Sequence, residues 1–503
     1  MSKPDRWNEL ERRAVRIADL TGASSLLSWD QETLMPRGGS ESRAHQMGTL
    51  AALVHEHYTD PALGDLLHSL ADELSDEMNP PSSEKAAILR AMLRQHEQRT
   101  RVPVSFVVRR TELSARGREA WKEARKSNAF STFAPFLEEQ FSMARELADF
   151  LGYEENPYDA LLDQFEQGLS HAWIDERFSA VKPPLQRLIR TIGEARAADP
   201  AHDAAAGAVY REVPAALQLE FSRRMAEAVG YDFARGRLDV SAHPFTSGSS
   251  FRDVRITTRV DGRYFPSCLF AVIHEAGHGM HGQNLKPALY RWPFRYGLAL
   301  AESQSRFYEN MIGRSRPFWE RYYPELQEAV PQFAELSIDT WYRAINAVHP
   351  SLIRVEADEV TYGMHIMLRF ELENAAIAGE LSVADLPVAW NDAMERYLGI
   401  VPESDANGVL QDIHWSQGYI GYFPDYLLGS MLSAQLWDAV AGENQDAREQ
   451  VQRGDLGPIN EWMAKTVQGE GGSLTFAEMA HRATGKEFGA ESYLDYLTTK
   501  YGA

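Results

Sequence analysis

The sequence predicts a mostly α-helical fold that contains one small β-ribbon. Apolar residues recur at helical spacing through long stretches of the 503-residue chain, and residues that favour helix ends flank several of these stretches. Only residues 253–260, DVRITTRV, alternate apolar with polar side chains and are rich in β-branched residues, as strands are. We find no internal repeat and no low-complexity tract. Helices are therefore expected throughout, with a ribbon immediately before the stretch AVIHEAGHGMHGQ.

Three segments show the helical pattern most clearly. In the first segment, apolar residues recur at helical spacing and share one face, namely Trp7, Leu10, Ala14, Ile17 and Leu20. Gly22 follows and predicts a helix stop. Ser82 or Ser83 predicts the N-cap of the second segment, and Gly152 predicts the end of the third. Residues 241–250, SAHPFTSGSS, are expected to form a loop ahead of the ribbon.

The composition excludes several classes of protein. Hydrophobic residues make up 44% and charged residues 24%, as in ordinary globular proteins, and the formal net charge is −21. Because that charge repels phosphate backbones, nucleic acid is not an expected partner. No apolar stretch is long enough to cross a membrane, and the charged N-terminus has no signal-peptide core. With Cys268 as the single cysteine, a cytoplasmic location is expected.

His274, Glu275 and His278 form an H-E-x-x-H motif. On a helix, residues four apart share a face, so both imidazoles can reach one metal ion. Such an ion lowers the pKa of water, and Glu275 lies beside the first ligand, where it can accept the proton. Burying these groups without an ion would be costly, because the surrounding helix is apolar. The motif therefore predicts a hydrolytic metal site.

A catalytic zinc site usually has three protein ligands and one open position. One known pattern places a third His six residues after the second, but position 284 is Asn. The alternative is a carboxylate from the next helix, which offers Glu302 and Glu309 on nearly the same face. Spacing slightly favours Glu302, the nearer of the two. His281 is expected to be a pocket residue rather than a ligand.

At this point the sequence resembles the carboxypeptidase Taq family of metallocarboxypeptidases, over nearly the whole chain. The resemblance is carried by several ordered blocks, which read LLSWDQETLMPRGGSESRAHQ, GRLDVSAHPFTSG, DVRITT, HEAGH, ESQSRFYENMIGRS, SLIRVEADEVTY and GVLQDIHWSQGYIGYFPDY. It implies a single two-lobed helical domain with a long central groove, in which residues 1–230 form a groove wall and residues 231–503 carry the metal site. It also implies a homodimer.

The resemblance further implies an activity and its cofactor. The expected reaction is release of single residues from the C-termini of peptides, with broad side-chain tolerance and poor use of C-terminal proline. One divalent ion, Zn²⁺ or Co²⁺, is expected. The family's metal-binding Glu begins an ESQS segment, which here is Glu302. The family usually has His before that Glu, whereas this chain has Ala301, and the change could alter metal affinity without removing a ligand.

Asp253, Arg255 and Thr257 share one face of the expected strand. The resemblance makes this strand an active-site wall, along which an extended peptide could pair. The alternative is that Asp253 and Arg255 form an internal salt bridge that holds the strand in place. Both interpretations remain open from the sequence, and both residues are candidate substrate-binding groups.

A carboxypeptidase must recognise a free α-carboxylate, which a guanidinium binds through two parallel hydrogen bonds. Arg354 is favoured over Arg255 for this role, because the family's matching Arg is a candidate for it. Arg354 and Asp358 are four residues apart, which predicts that they share a helical face and that Asp358 orients the guanidinium. The alternative is an ordinary surface ion pair, which contributes little stability.

The segment GVLQDIHWSQGYIGYFPDY combines glycines with aromatic residues, as loops that line a cleft often do. Hydrolysis builds negative charge on the former carbonyl oxygen, and a neutral Tyr hydroxyl or a His N–H can stabilise it. His414 and Tyr422 are the candidates for this role. The alternative is that these rings only pack in the core. Two other functions stay open, namely an oligopeptidase that cuts internal bonds and a peptide-binding homologue without activity.

Overall fold

A computed structural model describes residues 3–198, 205–292 and 296–502, and most of these residues are helical. None of the described helices is both long and apolar enough to span a membrane. The α-helices span Lys3–Thr33, Ser40–Thr59, Pro61–Glu73, Glu84–Arg101, Val104–Ser127, Phe130–Leu151, Pro157–Leu162, His171–Ala198, Ala215–Val229, Phe265–Gln283, Leu298–Arg306, Arg316–Ala329, Ile338–Ile345, Tyr362–Ile377, Leu386–Leu398, Pro424–Glu443, Ala447–Arg453, Gly457–Thr466, Phe476–Thr484 and Glu491–Tyr501.

A small sheet lies against the helix Phe265–Gln283, which is called the HExxH helix below. Its three strands are β1 (Leu238–Val240), β2 (Thr246–Ser250) and β3 (Asp253–Thr258). The central strand β3 pairs in parallel with β1 and antiparallel with β2. Val254 of β3 is buried and packs against Gly282 of the HExxH helix. A Cβ on Gly282 would lie 3.2 Å from the Val254 side chain. The predicted mostly helical fold and the predicted strand are both confirmed.

The prediction that residues 241–250 form only a loop is wrong, because β2 occupies half of them. Thr246 pairs with Ile256 and Ser247 with Arg255, and the register shifts between Gly248 and Ser250. The small polar side chains of TSGSS show no alternating apolar pattern, so the pairing with β3 determines the strand, not local propensity. This strand brings the Thr246 hydroxyl to Glu275 of the HExxH helix, as described below.

Two of the three predicted helix ends are confirmed. The Ser83 hydroxyl accepts a hydrogen bond from the Ala86 N–H at 3.3 Å, and Gly152, with φ of 83°, ends its helix. The predicted stop at Gly22 is wrong, since the first helix continues to Thr33. A Cβ at Gly22 would lie 2.7 Å from the Ser249 carbonyl oxygen. This glycine therefore serves the close packing of the first helix on β2, not chain termination.

The HExxH helix is held by the main hydrophobic core. Its buried apolar face includes Phe265, Leu269 and Ile273, which belong to a large cluster that extends to Leu497 near the C-terminus. A smaller cluster joins the first helices to Trp292. Packing on this scale fixes the orientation of the HExxH helix, so that its polar face is presented in one geometry.

Candidate metal centre and active site

Two helices bring three potential metal ligands together. His274 and His278 lie one turn apart on the HExxH helix, and Glu302 lies on the helix Leu298–Arg306. Glu302 Oε2 is 3.4 Å from His274 Nε2 and 3.5 Å from His278 Nε2. Potential ligand atoms of the three residues all lie within 4.8 Å of one another. Two imidazoles and one carboxylate are the donor set of many catalytic zinc sites, so these residues fit a divalent ion.

Glycine allows the two helices to approach this closely. A Cβ at Gly277 would lie 2.6 Å from the Gln304 carbonyl oxygen. A Cβ at Gly429, on the helix Pro424–Glu443, would lie 2.6 Å from the Glu302 Cβ. Larger residues at either position would push Glu302 away from the histidines. Gly277, the glycine of HEAGH, therefore contributes to the site through packing.

The N-terminus of the helix that carries Glu302 is held by a segment far away in the sequence. The Leu300 N–H donates to Glu166 Oε2 at 3.1 Å, and the Leu298 N–H donates to the Phe165 carbonyl at 3.1 Å. A Cβ at Gly297 would lie 1.8 Å from Glu166 Oε1, so only glycine leaves room for this carboxylate. The cap satisfies orphan N–H groups and fixes the register of the metal-ligand helix.

The charges around the three ligands favour a cation. Burial disfavours the charged imidazolium, but the Glu302 carboxylate outweighs it and raises the pKa of His274 to about 10. Burial also opposes the charged form of Glu302, yet the Arg306 guanidinium and the His274 side chain hold its pKa well below the usual range. The carboxylate is therefore ionised, and its negative charge attracts a positive charge at the His274 imidazole, as a proton or as a metal ion that takes its place.

Glu309 contacts the opposite side of the same imidazole. Its Oε2 lies 2.9 Å from His274 Nδ1, and its two oxygens also accept hydrogen bonds from Arg306 at 3.2 Å and Arg314 at 3.0 Å. The residue lies in a π-helical segment, Phe307–Gly313. The geometry thus brings Glu302, and not Glu309, to the two Nε2 atoms. Glu309 instead fixes the ring orientation of His274, one of the potential ligands.

Glu275 is buried and oriented by the sheet. The Thr246 hydroxyl on β2 donates to Glu275 Oε2 at 2.6 Å. Glu275 follows His274 directly in the sequence and is only 6% exposed, so its carboxylate is shielded from bulk solvent. Thr246 was not identified from the sequence, since no residue pattern connects it with Glu275 before the pairing of β2 and β3 is known.

Asp253 and Arg255 form the salt bridge that was one of the two alternatives. Arg255 Nε and Nη2 lie 2.8 and 2.9 Å from the Asp253 carboxylate oxygens. The guanidinium also stacks 4.2 Å from the ring centroid of Trp29, in the first helix. Thr257 is buried and accepts a hydrogen bond from the Ser241 hydroxyl. One edge of Arg255 is therefore occupied within the protein.

The prediction that Arg354 and Asp358 share a helical face is wrong. Arg354 begins a single 3₁₀ turn that ends at Glu356, after which the chain turns away. The Asp358 carboxylate accepts hydrogen bonds from the backbone N–H groups of Val360 and Thr361 instead, at 2.9 Å each. Asp358 therefore stabilises the turn that precedes the helix Tyr362–Ile377, rather than orienting Arg354.

Asp412 is the partner of Arg354. Arg354 Nε and Nη2 donate to Asp412 Oδ1 at 3.1 and 2.8 Å, and Arg369 donates to Oδ2 at 2.8 and 2.6 Å. Burial opposes ionisation of Asp412, but the two guanidinium groups hold its pKa far below the usual range. The two arginines are buried, and together with the single Asp412 carboxylate they carry a net positive charge.

Tyr362 links this arginine pair to Arg306, which contacts the potential metal ligand Glu302. Arg354 Nη1 donates to the Tyr362 hydroxyl at 3.3 Å. The Arg306 guanidinium stacks 4.6 Å from the centre of the same ring and donates to Glu302 Oε1 at 2.7 Å. Arg354 is thus connected to Glu302 through two side chains, those of Tyr362 and Arg306.

His414 and Tyr422 lie together near Asp412. Their ring centroids are 5.1 Å apart, and His414 Nδ1 is 3.8 Å from Asp412 Oδ1. Burial lowers the pKa of His414 to about 3 and raises that of Tyr422 to about 12, so both side chains are neutral at pH 7. Neutral N–H and O–H donors are what an oxyanion requires.

Glu373 holds the loop that carries these two residues, which is called the aromatic loop below (residues 414–422). Its carboxylate accepts hydrogen bonds from the Tyr158 hydroxyl and Trp415 Nε1, both at 2.6 Å, and from the Gly421 N–H at 2.8 Å. Burial raises the pKa of Glu373 to about 7. Three donors on one buried carboxylate make the loop a rigid part of the site.

Several residues of the site were not predicted from the sequence, although the spacing of one of them indicates its contacts. Arg306 bridges Glu302 and Glu309 and lies four residues after the first and three before the second, a spacing that predicts such contacts on a helix. Ala301 is buried on the same helix and supplies no polar atom. His281 is also buried and stacks 4.1 Å from the Tyr296 ring centroid.

Comparison with known proteins shows the family of this chain. The family model for carboxypeptidase Taq (M32) metallopeptidases matches residues 9–501. Carboxypeptidase 1 of Bacillus subtilis is 37% identical over 97% of this chain and 96% of its own length, and thermostable carboxypeptidase 1 of Pyrococcus furiosus is 36% identical over 97% and 96%. The structure of Trypanosoma cruzi metallocarboxypeptidase 1 superposes with a TM-score of 0.93 at 34% identity, over 99% of this chain and 100% of the other. The chain therefore belongs to the carboxypeptidase Taq (M32) family of metallopeptidases, which are peptide hydrolases.

Proposed function

We propose that this metallopeptidase hydrolyses the C-terminal peptide bond of peptides, with Glu275 as the general base. The observation that supports this most strongly is the convergence of His274, His278 and Glu302 beside the buried Glu275 carboxylate. Broad tolerance of C-terminal side chains and poor use of C-terminal proline are part of the same proposal. The relatives are named carboxypeptidases, which supports the exopeptidase reaction.

One divalent ion, Zn²⁺ or Co²⁺, would be held by His274 Nε2, His278 Nε2 and a Glu302 oxygen. When bound, such an ion supplies Lewis-acid chemistry, which lowers the pKa of water and polarises a carbonyl. The protein supplies the remaining groups. Glu309 keeps the proton of His274 on Nδ1 by accepting a hydrogen bond there, so that Nε2 presents its lone pair to the ion.

Glu275 moves the proton of the reaction. Its Oε2 accepts a hydrogen bond from Thr246, which leaves Oε1 to accept a proton from the attacking water. The same oxygen then returns the proton to the nitrogen of the departing amino acid. Because Thr246 is on β2 and Glu275 is on the HExxH helix, the sheet keeps this carboxylate in register with the ligands.

Substrate recognition is assigned to the two arginine positions and to the aromatic loop. Arg354 is proposed to bind the substrate's C-terminal carboxylate, with Asp412 in place of Asp358 as the residue that orients it. Tyr422 and His414 are proposed to donate hydrogen bonds to the oxyanion. Asp253 and Arg255 on β3 are proposed to contact the extended peptide upstream of the cleaved bond.

Two measurements test the proposal together. A peptide with a free C-terminus should lose single residues in order, and chelation should stop the release until Zn²⁺ or Co²⁺ is added. The same peptide with an amidated C-terminus should be cleaved poorly. Internal cleavage of the amidated peptide would favour an oligopeptidase. No cleavage of either peptide by metal-loaded protein would favour a peptide-binding homologue without activity.

We also propose a homodimer in the cytoplasm. The family resemblance supports the dimer, and the single, buried cysteine supports a reducing compartment. Light scattering coupled to size-exclusion chromatography gives the mass of the particle, and a monomer there would contradict the dimer. Cell fractionation gives the location.

A further inference from the structure

A cavity of about 150 Å³ lies behind the aromatic loop, and none of its lining residues is a potential metal ligand. Its polar lining comes from Arg110, Gln140 and Gln164, and its remaining walls include Phe165 and Ile420. A cavity of this volume is large enough for a ligand about the size of benzene, with about six non-hydrogen atoms. The proposed function leaves this cavity without a role.

The charge of Arg110 has no counterion in the part of the chain that the structure describes. The side chain is half-buried, and burial lowers the pKa of its guanidinium, with only a weak opposing effect from Tyr419. The neighbouring Arg109 differs, because it is mostly exposed and pairs with Glu146. A cation removed from water without an anionic partner is costly, so an anion in the cavity would be favoured.

The cavity also holds a fixed hydrogen-bond acceptor close to Arg110. Gln140 Nε2 donates to the Ser416 carbonyl at 2.9 Å, which fixes the direction of its amide. A Cβ at Gly418 would lie 2.7 Å from Gln140 Oε1 and 3.9 Å from Arg110 Nε, and φ at this glycine is 72°. Any side chain at Gly418 would therefore fill the space between the two polar groups.

We propose that this cavity binds a small monocarboxylate with a short apolar chain. The planar guanidinium of Arg110 takes the carboxylate through parallel hydrogen bonds, and the apolar chain lies against Phe165 and Ile420. Gln140 Oε1 can accept a hydrogen bond from an ammonium group, so free carboxylic acids and small amino acids share the required chemistry. The proposal does not depend on the proposed peptidase mechanism.

The occupied cavity would be one aromatic ring away from the active site. The Phe165 ring lies edge-on to Tyr422 with centroids 5.3 Å apart, and Phe165 also lines the cavity. A ligand here contacts the ring on which a proposed oxyanion donor packs. Binding is therefore the property to measure first, separately from turnover.

Fluorine NMR titration tests the site with trifluoropropionate as the probe. Wild-type protein, Arg110→Gln and Arg109→Gln should be compared, because the two variants remove the same charge from adjacent positions. Arg110→Gln should raise the Kd at least about tenfold, since a charge-assisted contact is lost, whereas Arg109→Gln should leave it within about twofold. Arg110→Lys keeps the charge without the planar fork and should give an intermediate Kd, which also serves if Arg110→Gln does not fold.

Trifluoroalanine, titrated in the same way, distinguishes the two sources of the carboxylate. Arg110-dependent binding of both probes would assign the site to small amino acids as well as to free acids, and binding of trifluoropropionate alone would assign it to free acids. Absence of binding by both probes would overturn the proposal. So would equal affinity of wild-type protein, Arg110→Gln and Arg110→Lys, because the carboxylate would then be bound elsewhere.

Discussion

Nδ1 of His274 lies 2.9 Å from Oε2 of Glu309, while Nε2 of the same ring lies 3.4 Å from Oε2 of Glu302. One imidazole is therefore held between two carboxylates of the same helical stretch. Glu302 approaches the nitrogen that also faces His278, and Glu309 approaches the nitrogen that faces away. Two residues that share nearly the same helical face in the sequence thus occupy different positions, and their removal should have different effects.

Glu302→Ala should lose stoichiometric metal, because it removes one of three protein ligands. Glu309→Ala should keep the metal with affinity reduced by about 10- to 100-fold, since only the orientation of His274 is lost. The measurement is metal content per chain after dialysis, followed by competition with a chelator of known affinity. Full metal occupancy in Glu302→Ala, or none in Glu309→Ala at saturating metal, would contradict the ligand assignment.

Glu275→Gln should bind metal as wild type does and lose activity by about 100- to 10,000-fold, because the amide cannot accept the proton. Thr246→Val offers a matched comparison. It leaves the carboxylate in place and removes only the hydroxyl that holds Oε2, so a smaller loss of kcat is expected with metal content unchanged. Wild-type turnover by Glu275→Gln would show that another group is the base.

The fold was predictable where the sequence pattern is local. Helical spacing and the Ser83 cap identified helices correctly, and alternation identified β3. The prediction at Gly22 was wrong because glycine occurs both at helix ends and where two backbone segments pack closely. Only the position of Ser249 distinguishes these two cases. Strand β2 could not be found, because its pairing with β3 determines it and its own side chains do not.

The site was predictable to the same extent. The spacing within one helix predicted that His274 and His278 lie together. For the third ligand, the sequence left two alternatives on the following helix, Glu302 and Glu309. The partner of Arg354 was predicted as Asp358 from a helical spacing that the chain does not adopt there. Asp412 is 58 residues away in the sequence, so its contact with Arg354 depends on tertiary packing that no local pattern records.

Glu373 should make stability depend on pH. Burial raises its pKa to about 7 from an ordinary value of 4.5, so the folded protein binds a proton that the unfolded chain has released between these two values. The carboxyl group therefore contributes most to stability below pH 4.5, and this contribution is lost as the pH rises to about 7. The total change is on the order of 3 kcal/mol.

Glu373→Gln cannot ionise, so this part of the pH dependence should disappear in the variant. The measurement is the free energy of unfolding by urea at pH 5, 6, 7 and 8 for both proteins. The free energy of unfolding of wild type, minus that of the variant, should be greatest at pH 5. This difference should shrink or reverse by pH 8. A difference that stays constant over this range would show that Glu373 does not titrate there.

Arg354 should determine the preference for a free C-terminal carboxylate. That carboxylate must be desolvated in the active site, and a buried charge requires a cationic partner. Two arginines face one aspartate here, so a further negative charge is favoured. Arg354→Ala should lower kcat/KM for a free peptide by about 30- to 1000-fold, equivalent to about 2 to 4 kcal/mol, and should change the amidated peptide much less.

The two aspartates serve as matched tests of how Arg354 is oriented. Asp412→Asn removes the charge that both arginines contact and should raise KM for the free peptide while retaining part of its discrimination against the amide. Asp358→Asn changes a residue that bonds only nearby backbone and hydroxyl groups, so its free-to-amide ratio of kcat/KM should equal that of wild type. An unchanged ratio in Arg354→Ala would move the carboxylate-binding role elsewhere. Arg255 would be the next residue to test, although its bond to Asp253 would first have to open.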